Sequence, residues 1–283
     1  MQSLWMIAAS FLFACMGVCV KLAAATHSAV EITFYRSFIS LILMYALVRL
    51  RGVSLKTPHW RWQITRGTVG FLALVSYFFA ITMLPLATAV TLNYTSAIFL
   101  ALYLALSGAR MRFGMLIALA IGLVGVGFLL KPSFHADQLL GGLIGLSSGI
   151  LAGMAYFSVR QLGARGESET RTVFYFSLVS SIGAGGWLLF SELHAVEMRS
   201  GALLLGVACF ATLAQLAMTR AYSRGKTLMS AALAYSTVIF SSLLGMLFWG
   251  EVLDASAWLA IGLIILSGIA ATHFSRASPV EQD

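Results

Sequence analysis

The sequence predicts an all-α integral membrane fold of ten transmembrane helices, arranged as two inverted five-helix repeats. Three observations carry that reading. The first is composition: of 283 residues, 60% are hydrophobic and only 10% charged, with a mean hydropathy of +0.92, whereas a soluble domain carries about 25% charge. The second is run length. The apolar stretches are each about 20 residues long, what a helix rising 1.5 Å per residue needs to cross roughly 30 Å of hydrocarbon. The third is internal repetition: Ala80 to Arg110 returns 141 residues later as Ala221 to Glu251, in register. Its centre, Leu92-Asn93-Tyr94-Thr95-Ser96-Ala97-Ile98-Phe99, is echoed by Leu233-Ala234-Tyr235-Ser236-Thr237-Val238-Ile239-Phe240.

Ten spans follow in order: residues 4–24, 30–49, 66–84, 86–106, 113–131, 139–160, 172–191, 200–219, 228–249 and 255–273. The first reads as a retained helix. Met1-Gln2-Ser3 carries no Lys or Arg, and Lys21 follows the apolar run, the reverse of a cleaved leader. Its Ala14-Cys15-Met16 also lines up with Ala152-Gly153-Met154 in the sixth span. In the second span Phe34-Tyr35 matches Phe174-Tyr175 of the seventh, at an offset of 140. The fourth and ninth hold the tyrosine motif, and the fifth shares Ala120-Ile121-Gly122-Leu123 with Ala260-Ile261-Gly262-Leu263 of the tenth. Gly141, Gly145, Gly149 and Gly153 recur every fourth residue along the sixth, and Gly114, Ala118 and Gly122 along the fifth. Such faces let a neighbouring backbone approach closely. The halves are residues 1–134 and 135–276, with 277–283 a cytoplasmic tail. An odd number of spans per half inserts the second half upside down, and related halves of this kind point to a transporter.

Orientation follows from the basic residues. Arg49, Arg51, Lys56, Arg61, Arg66, Arg110, Arg112, Arg160, Arg165, Arg171, Arg220, Arg224, Lys226 and Arg276 fall on one side, in the even loops and the tail. Lys21, Lys131 and Arg199 fall on the other, and both termini are expected in the cytoplasm. The net charge of +8 therefore reads as topology signals facing anionic leaflets and membrane lipids. A nucleic-acid partner would require these charges clustered on one soluble face.

Other residue classes narrow the chemistry. Cys15, Cys19 and Cys209 sit inside apolar spans without metal-ligand spacing, which reads as small buried hydrophobes and implies no metal site, disulfide or cofactor. Trp5, Trp187, Trp249 and Trp258 mark span ends. Gly145-Leu146-Ser147-Ser148-Gly149 matches the nucleophile pattern G-x-S-x-G, which needs a sharp strand-to-helix turn and a nearby histidine. His27, His59, His135, His194 and His273 all fall in loops or at span ends, so a membrane-embedded enzyme acting on lipid lacks its base. The acidic residues likewise lie in loops, tails or span ends, which favours facilitated diffusion or exchange over a proton relay through a mid-membrane carboxylate.

Polar groups inside spans are costly in lipid and mark function by default. Arg36 lies five residues beyond Glu31, roughly 7 to 9 Å below the outer boundary. It either meets substrate or snorkels outward to hold its helix. Asn93, Tyr94, Thr95 and Ser96 with Tyr235, Ser236 and Thr237 form the second group, from equivalent spans that approach mid-membrane from opposite sides. Tyr77, Tyr156, Tyr175 and Gln215 complete the set.

These residues together resemble a known family. Ten spans in two halves, Phe34-Tyr35-Arg36-Ser37-Phe38 in the second span, and Tyr235 through Gly250-Glu251 at the end of the ninth are similar to the EamA-type carriers of the drug/metabolite transporter superfamily. The likeness covers nearly the whole chain. Two departures stand in the first half: Gly108-Ala109-Arg110 replaces the usual Gly-Glu-Arg, and Ala97 replaces a frequent proline. The resemblance implies a multi-pass carrier of the bacterial inner membrane, not an enzyme, moving a small metabolite through a cavity opened alternately to each side. Export of amino acids or related compounds is one expectation. Uptake of a vitamin or nucleotide-derived cofactor, such as riboflavin or S-adenosylmethionine, is the other. Arg36 corresponds to the family's second-span arginine.

Overall fold

The computed structural model describes residues 2–84, 86–109, 112–130, 139–191, 193–250 and 254–276. Arg110, Lys131, His135, Asp137, Glu192, Glu251 and the tail from residue 277 lie outside them. The described residues form helix and no strand: α1 (Trp5–Ala23, after a 3-10 turn at Gln2–Leu4), α2 (Ala29–Leu50), α3 (Trp60–Met83), α4 (Leu86–Tyr94), α5 (Ser96–Leu106), α6 (Phe113–Leu130), α7 (Leu139–Ala164), α8 (Glu169–Leu188), α9 (Met198–Arg224), α10 (Thr227–Ala234), α11 (Ser236–Trp249) and α12 (Ala255–Arg276).

Seven helical segments among the described residues are long and apolar enough to cross a membrane: Gln2–Ala23, Ala29–Leu50, Ala89–Leu106, Leu139–Ala164, Met198–Arg224, Thr227–Trp249 and Ala255–Phe274. Phe113–Phe128 is apolar but shorter. The expected spans at 66–84 and 172–191 fold as helices α3 and α8. Both bury polar side chains: Gln63 and Arg66 on α3, and Thr170, Thr172, Ser177, Ser180 and Ser181 on α8. Large apolar side chains such as Phe128, Ile182, Leu247 and Ile269 point outward instead. An apolar exterior around buried polar groups is the inverse of a soluble protein, and the chain is a multi-pass helical membrane protein.

Helix boundaries follow local chemistry. Ser28 caps α2 in a full capping box: its hydroxyl accepts from Glu31 N–H at 3.3 Å and its N–H donates to Glu31 Oε2 at 2.7 Å. Ser168 caps α8 by accepting from Arg171 N–H at 3.2 Å. Gly250 ends α11 in the left-handed conformation at φ 65°, open to glycine at no steric cost.

The principal packing pairs are α3 with α7, α6 with α12, α1 with α9 and α2 with α8. The α2–α8 pair is antiparallel. At one end the Tyr175 hydroxyl of α8 donates to Leu55 O, just past the end of α2, at 2.9 Å. At the other, Glu31 of α2 accepts from His194 N–H, past the end of α8, at 2.6 Å. The two ends stand about 30 Å apart at 1.5 Å per residue. α6 and α12 are antiparallel too: Gly114 abuts Phe274, Ser267 donates to Ala118 O at 2.7 Å, and Gly125 abuts Ala260 and Ile264.

The regions read as the fourth and ninth spans are both broken in the middle. Helix α4 gives way to α5 at Thr95, and α10 to α11 at Tyr235. At each break a hydroxyl takes a carbonyl three residues back: Thr95 Oγ1 donates to Leu92 O at 2.5 Å and Ser236 Oγ to Leu233 O at 2.7 Å. Such local bonds compete with the helical ladder and bend it. The four-spaced glycines of α7 receive the first break. Gly141 meets Met83 and Leu84, Gly145 meets Leu92, Gly149 meets Thr95 and Leu92 O, and Gly153 meets Ser96 O and Phe99. A methyl group on Gly149 would collide with backbone, so the broken helix sits there only because the side chain is absent.

Candidate substrate site

Because both breaks lie mid-helix, they bring Tyr94 and Tyr235 together, ring centroids 5.8 Å apart and tilted by 58°. Tyr235 is fully buried, packs over Gly122, and its hydroxyl has no hydrogen-bond partner. Beside this pair Tyr156 of α7 stacks on Tyr222 of α9 at 4.8 Å and 14°. Five helices thus converge on a nest of aromatic hydroxyls, apolar on the ring faces and hydrogen-bonding at the tips.

A second polar focus lies between α2, α8 and α9. Arg36, Ser40, Phe176, Ser177, Thr212 and Gln215 line a small cavity with room for about one water. Thr212 Oγ1 donates to Ser40 Oγ at 2.7 Å, fixing α9 against α2. Arg66, 3% exposed, approaches from α3: its Nη2 donates to Gln215 Oε1 at 3.5 Å and its guanidinium lies 4.3 Å from the Phe176 ring centre. Its Nη1 sits where a β-carbon on Gly70 would be, one turn further along α3. The side chain therefore runs inward along its helix, the opposite of snorkelling. Arg36 Nε, Arg66 Nε and Arg66 Nη1 are buried without an acceptor.

The expected site residues divide accordingly. Tyr94, Tyr156 and Tyr235 share the aromatic nest, Tyr77 packs against Ala80, Leu84 and Ala89 where α3 meets α4, and Arg36 and Gln215 share the cavity. Others face elsewhere. Asn93 donates to Ser148 Oγ at 3.2 Å and pins α4 to α7. Thr95 and Ser236 occupy their hydroxyls at the helix breaks, and Ser96 is buried with its carbonyl against Gly153. Tyr175, nearly two turns into α8, bonds the loop after α2, away from the nest. Arg66, expected in a basic loop, is instead buried within α3. Tyr222 was also not foreseen. The available signal for Arg66 was Gly70, a glycine one turn away that leaves room for a long side chain. The G-x-S-x-G stretch lies in regular helix, Ser147 and Ser148 donating to Ile144 O and Gly145 O at 2.7 and 2.6 Å, so it forms no nucleophile turn.

Buried aromatic hydroxyls beside two guanidiniums, enclosed by helices with apolar exteriors, define a membrane protein with a polar interior suited to a small solute. The EamA-like transporter family model matches residues 1–131 and 139–272, and the chain belongs to this family. Over 271 residues it is 34% identical to the pseudopaline exporter of Pseudomonas aeruginosa, covering 95% of each chain. Over 282 residues it is 23% identical to the riboflavin transporter of Vibrio cholerae, covering 94% of this chain and 90% of that one. A solved crystal structure superposes over 97% of this chain and 98% of its own with a TM-score of 0.87 at 18% identity, a likeness of fold. The protein is a small-metabolite transporter of the membrane.

Proposed function

We propose that the protein is a secondary carrier of the inner membrane that exports a small polar or amphipathic metabolite related to the amino acids, by alternating access. In this reading ten spans form two inverted halves, residues 1–134 and 135–276, with both termini cytoplasmic. The observation that carries it is the meeting of Tyr94 and Tyr235, matched residues of the internal repeat, at two helix breaks in the buried interior. The antiparallel pairing of α2 with α8 and of α6 with α12 supports the inversion, since each pair joins matched segments of the two halves. Export is supported by the full-length likeness to the pseudopaline exporter. The cavity now has room for about one water, so a metabolite is admitted only when the halves rock apart.

Proteoliposomes holding the purified protein test this, with flux measured in both directions for labelled amino acids, diacids, riboflavin and S-adenosylmethionine, with and without a pH gradient. Saturable efflux of one compound is the expected result; no flux of any compound across folded, oriented protein would sink the proposal. Riboflavin or S-adenosylmethionine uptake would select the second reading, which the Vibrio cholerae relative favours. Tyr235→Phe separates function from structure. Removing an unpartnered buried hydroxyl should leave the melting temperature unchanged or higher, while flux falls about ten-fold through loss of one hydrogen bond to cargo. Unchanged flux would remove Tyr235 from the site.

A further inference from the structure

Buried charge is normally matched by an opposite charge or by hydrogen bonds, because an isolated ion in a low-dielectric interior is costly. The cavity between α2, α8 and α9 departs from that rule. Arg36 lines it, and Arg66 reaches two of its other wall residues, Gln215 and Phe176. Arg66 is buried with its Nε and Nη1 lacking acceptors, and the half-buried Arg36 has an Nε that lacks one. Carboxylates of the described helices are engaged elsewhere: Glu31 with His194, Glu167 with Arg171, and Glu169 with Arg224. Among the described residues neither arginine has an acidic partner.

We infer that this cavity receives the acidic end of the cargo, and that the cargo is a small organic acid bearing two carboxylates, one held by Arg36 and one by Arg66. The inference rests on the carrier reading above. A guanidinium presents a planar fork that takes a carboxylate through two parallel N–H···O bonds. Two forks carried by different helices, α2 and α3, match two carboxylates on separate carbons; a monoacid leaves one arginine bare. Hydroxyls of Ser40, Ser177 and Thr212 make the same wall polar. Gln215 of the cavity and Tyr222 of the nest lie seven residues apart on α9, two turns along one face, so the body of the acid extends from the arginines toward the tyrosine nest. The site thus reads a diacid head and an amphipathic body together.

The test is a binding measurement on the full chain in lipid nanodiscs, followed by tryptophan fluorescence and melting temperature. The probes are succinate, glutarate, glutamate and N-acetylglutamate, the monomethyl ester of each, and inorganic phosphate. At least one diacid should bind roughly ten- to hundred-fold more tightly than its own monoester, the loss expected for one charge-assisted pair. Arg66→Gln should erase that difference while melting no lower than wild type without ligand, because it removes one of two like charges. Arg66→Lys, which keeps the charge and loses the fork, should restore part of it. Three results would each overturn the inference: no diacid preferred over its monoester, phosphate binding as tightly as the best diacid, or full discrimination surviving in both Arg36→Gln and Arg66→Gln. Proteoliposomes separate this failure from that of the carrier reading. Flux of riboflavin without preference for any diacid leaves a carrier with another cargo, and no flux of any compound removes both.

Discussion

The two ends of the α2–α8 pair are closed by the same geometry with opposite charge. At one end Glu31, third residue of α2 and capped by Ser28, accepts from the backbone N–H of His194 at 2.6 Å and interacts with His194 Nδ1 at 2.9 Å. At the other, Arg171, third residue of α8 and capped by Ser168, donates from Nε to the backbone carbonyl of Ser54 at 2.7 Å. Adding 140 to Ser28, Glu31 and Ser54 gives Ser168, Arg171 and His194, the offset that relates Phe34-Tyr35 to Phe174-Tyr175. An acid reaching a main-chain donor and a base reaching a main-chain acceptor are therefore matched latches. They differ in support. Glu31 is fully buried and is the only carboxylate among the described partners of its latch. Arg171 is partly exposed and shares its load with Glu167, which it meets at 2.6 Å and which also accepts from Thr57 and Gln63. Both latches are closed in this structure, as is the small cavity between them. In the proposed cycle one must open while the other holds, and the end resting on a single buried carboxylate is the all-or-none one.

The sharpest way to break the comparison is Glu31→Ala. It strips the acceptor from two part-buried main-chain donors and from the His194 ring, and should cost about 3 kcal/mol. Hydrogen exchange at the His194 and Ser28 amides reads the loss directly, and wild-type protection there would show that Glu31 does not hold the latch. Arg171→Ala should cost less, about 1 kcal/mol, because Glu167 keeps Thr57 and Gln63 and the pair is partly solvated. A loss equal to that of Glu31→Ala would erase the asymmetry. His194→Ala comes next, at about 0.5 kcal/mol, since the backbone N–H still donates to Glu31. Protection at residue 194 should survive it.

How far these features were legible depends on what each residue touches. Apolar runs announced most of the helices, and repetition paired Tyr94 with Tyr235, because matched positions on two related segments are visible as letters. Tyr175, read as a polar group inside a span, reaches the loop carbonyl of Leu55, a partner that its place in the span does not reveal. Asn93, Thr95 and Ser236 have the composition of binding residues, but a broken helix needs its carbonyls and neighbours satisfied first. Arg66 was hidden by a general rule: a basic residue at the edge of an apolar run reads as a loop charge. Its burial depends on Gly70 leaving room for the guanidinium and on Gln215 and Phe176 arriving from distant segments.

The latches were invisible for a further reason, which the smallest effect tests. In each, the loop contributes a main-chain group, joined at one end by the His194 ring, so Ser54 and His194 need share no side-chain chemistry to occupy matched positions. Ser54 Oγ is engaged locally, accepting from Lys56 N–H at 3.1 Å on the exposed side, while its carbonyl meets Arg171. Ser54→Ala should therefore leave the Arg171 end within about 0.5 kcal/mol of wild type, in melting and in exchange of the surrounding amides. A loss approaching that of Arg171→Ala would mean that the side chain shapes the loop carrying the carbonyl. The equivalence of the two ends would then lie in loop conformation and no longer in a bare backbone contact.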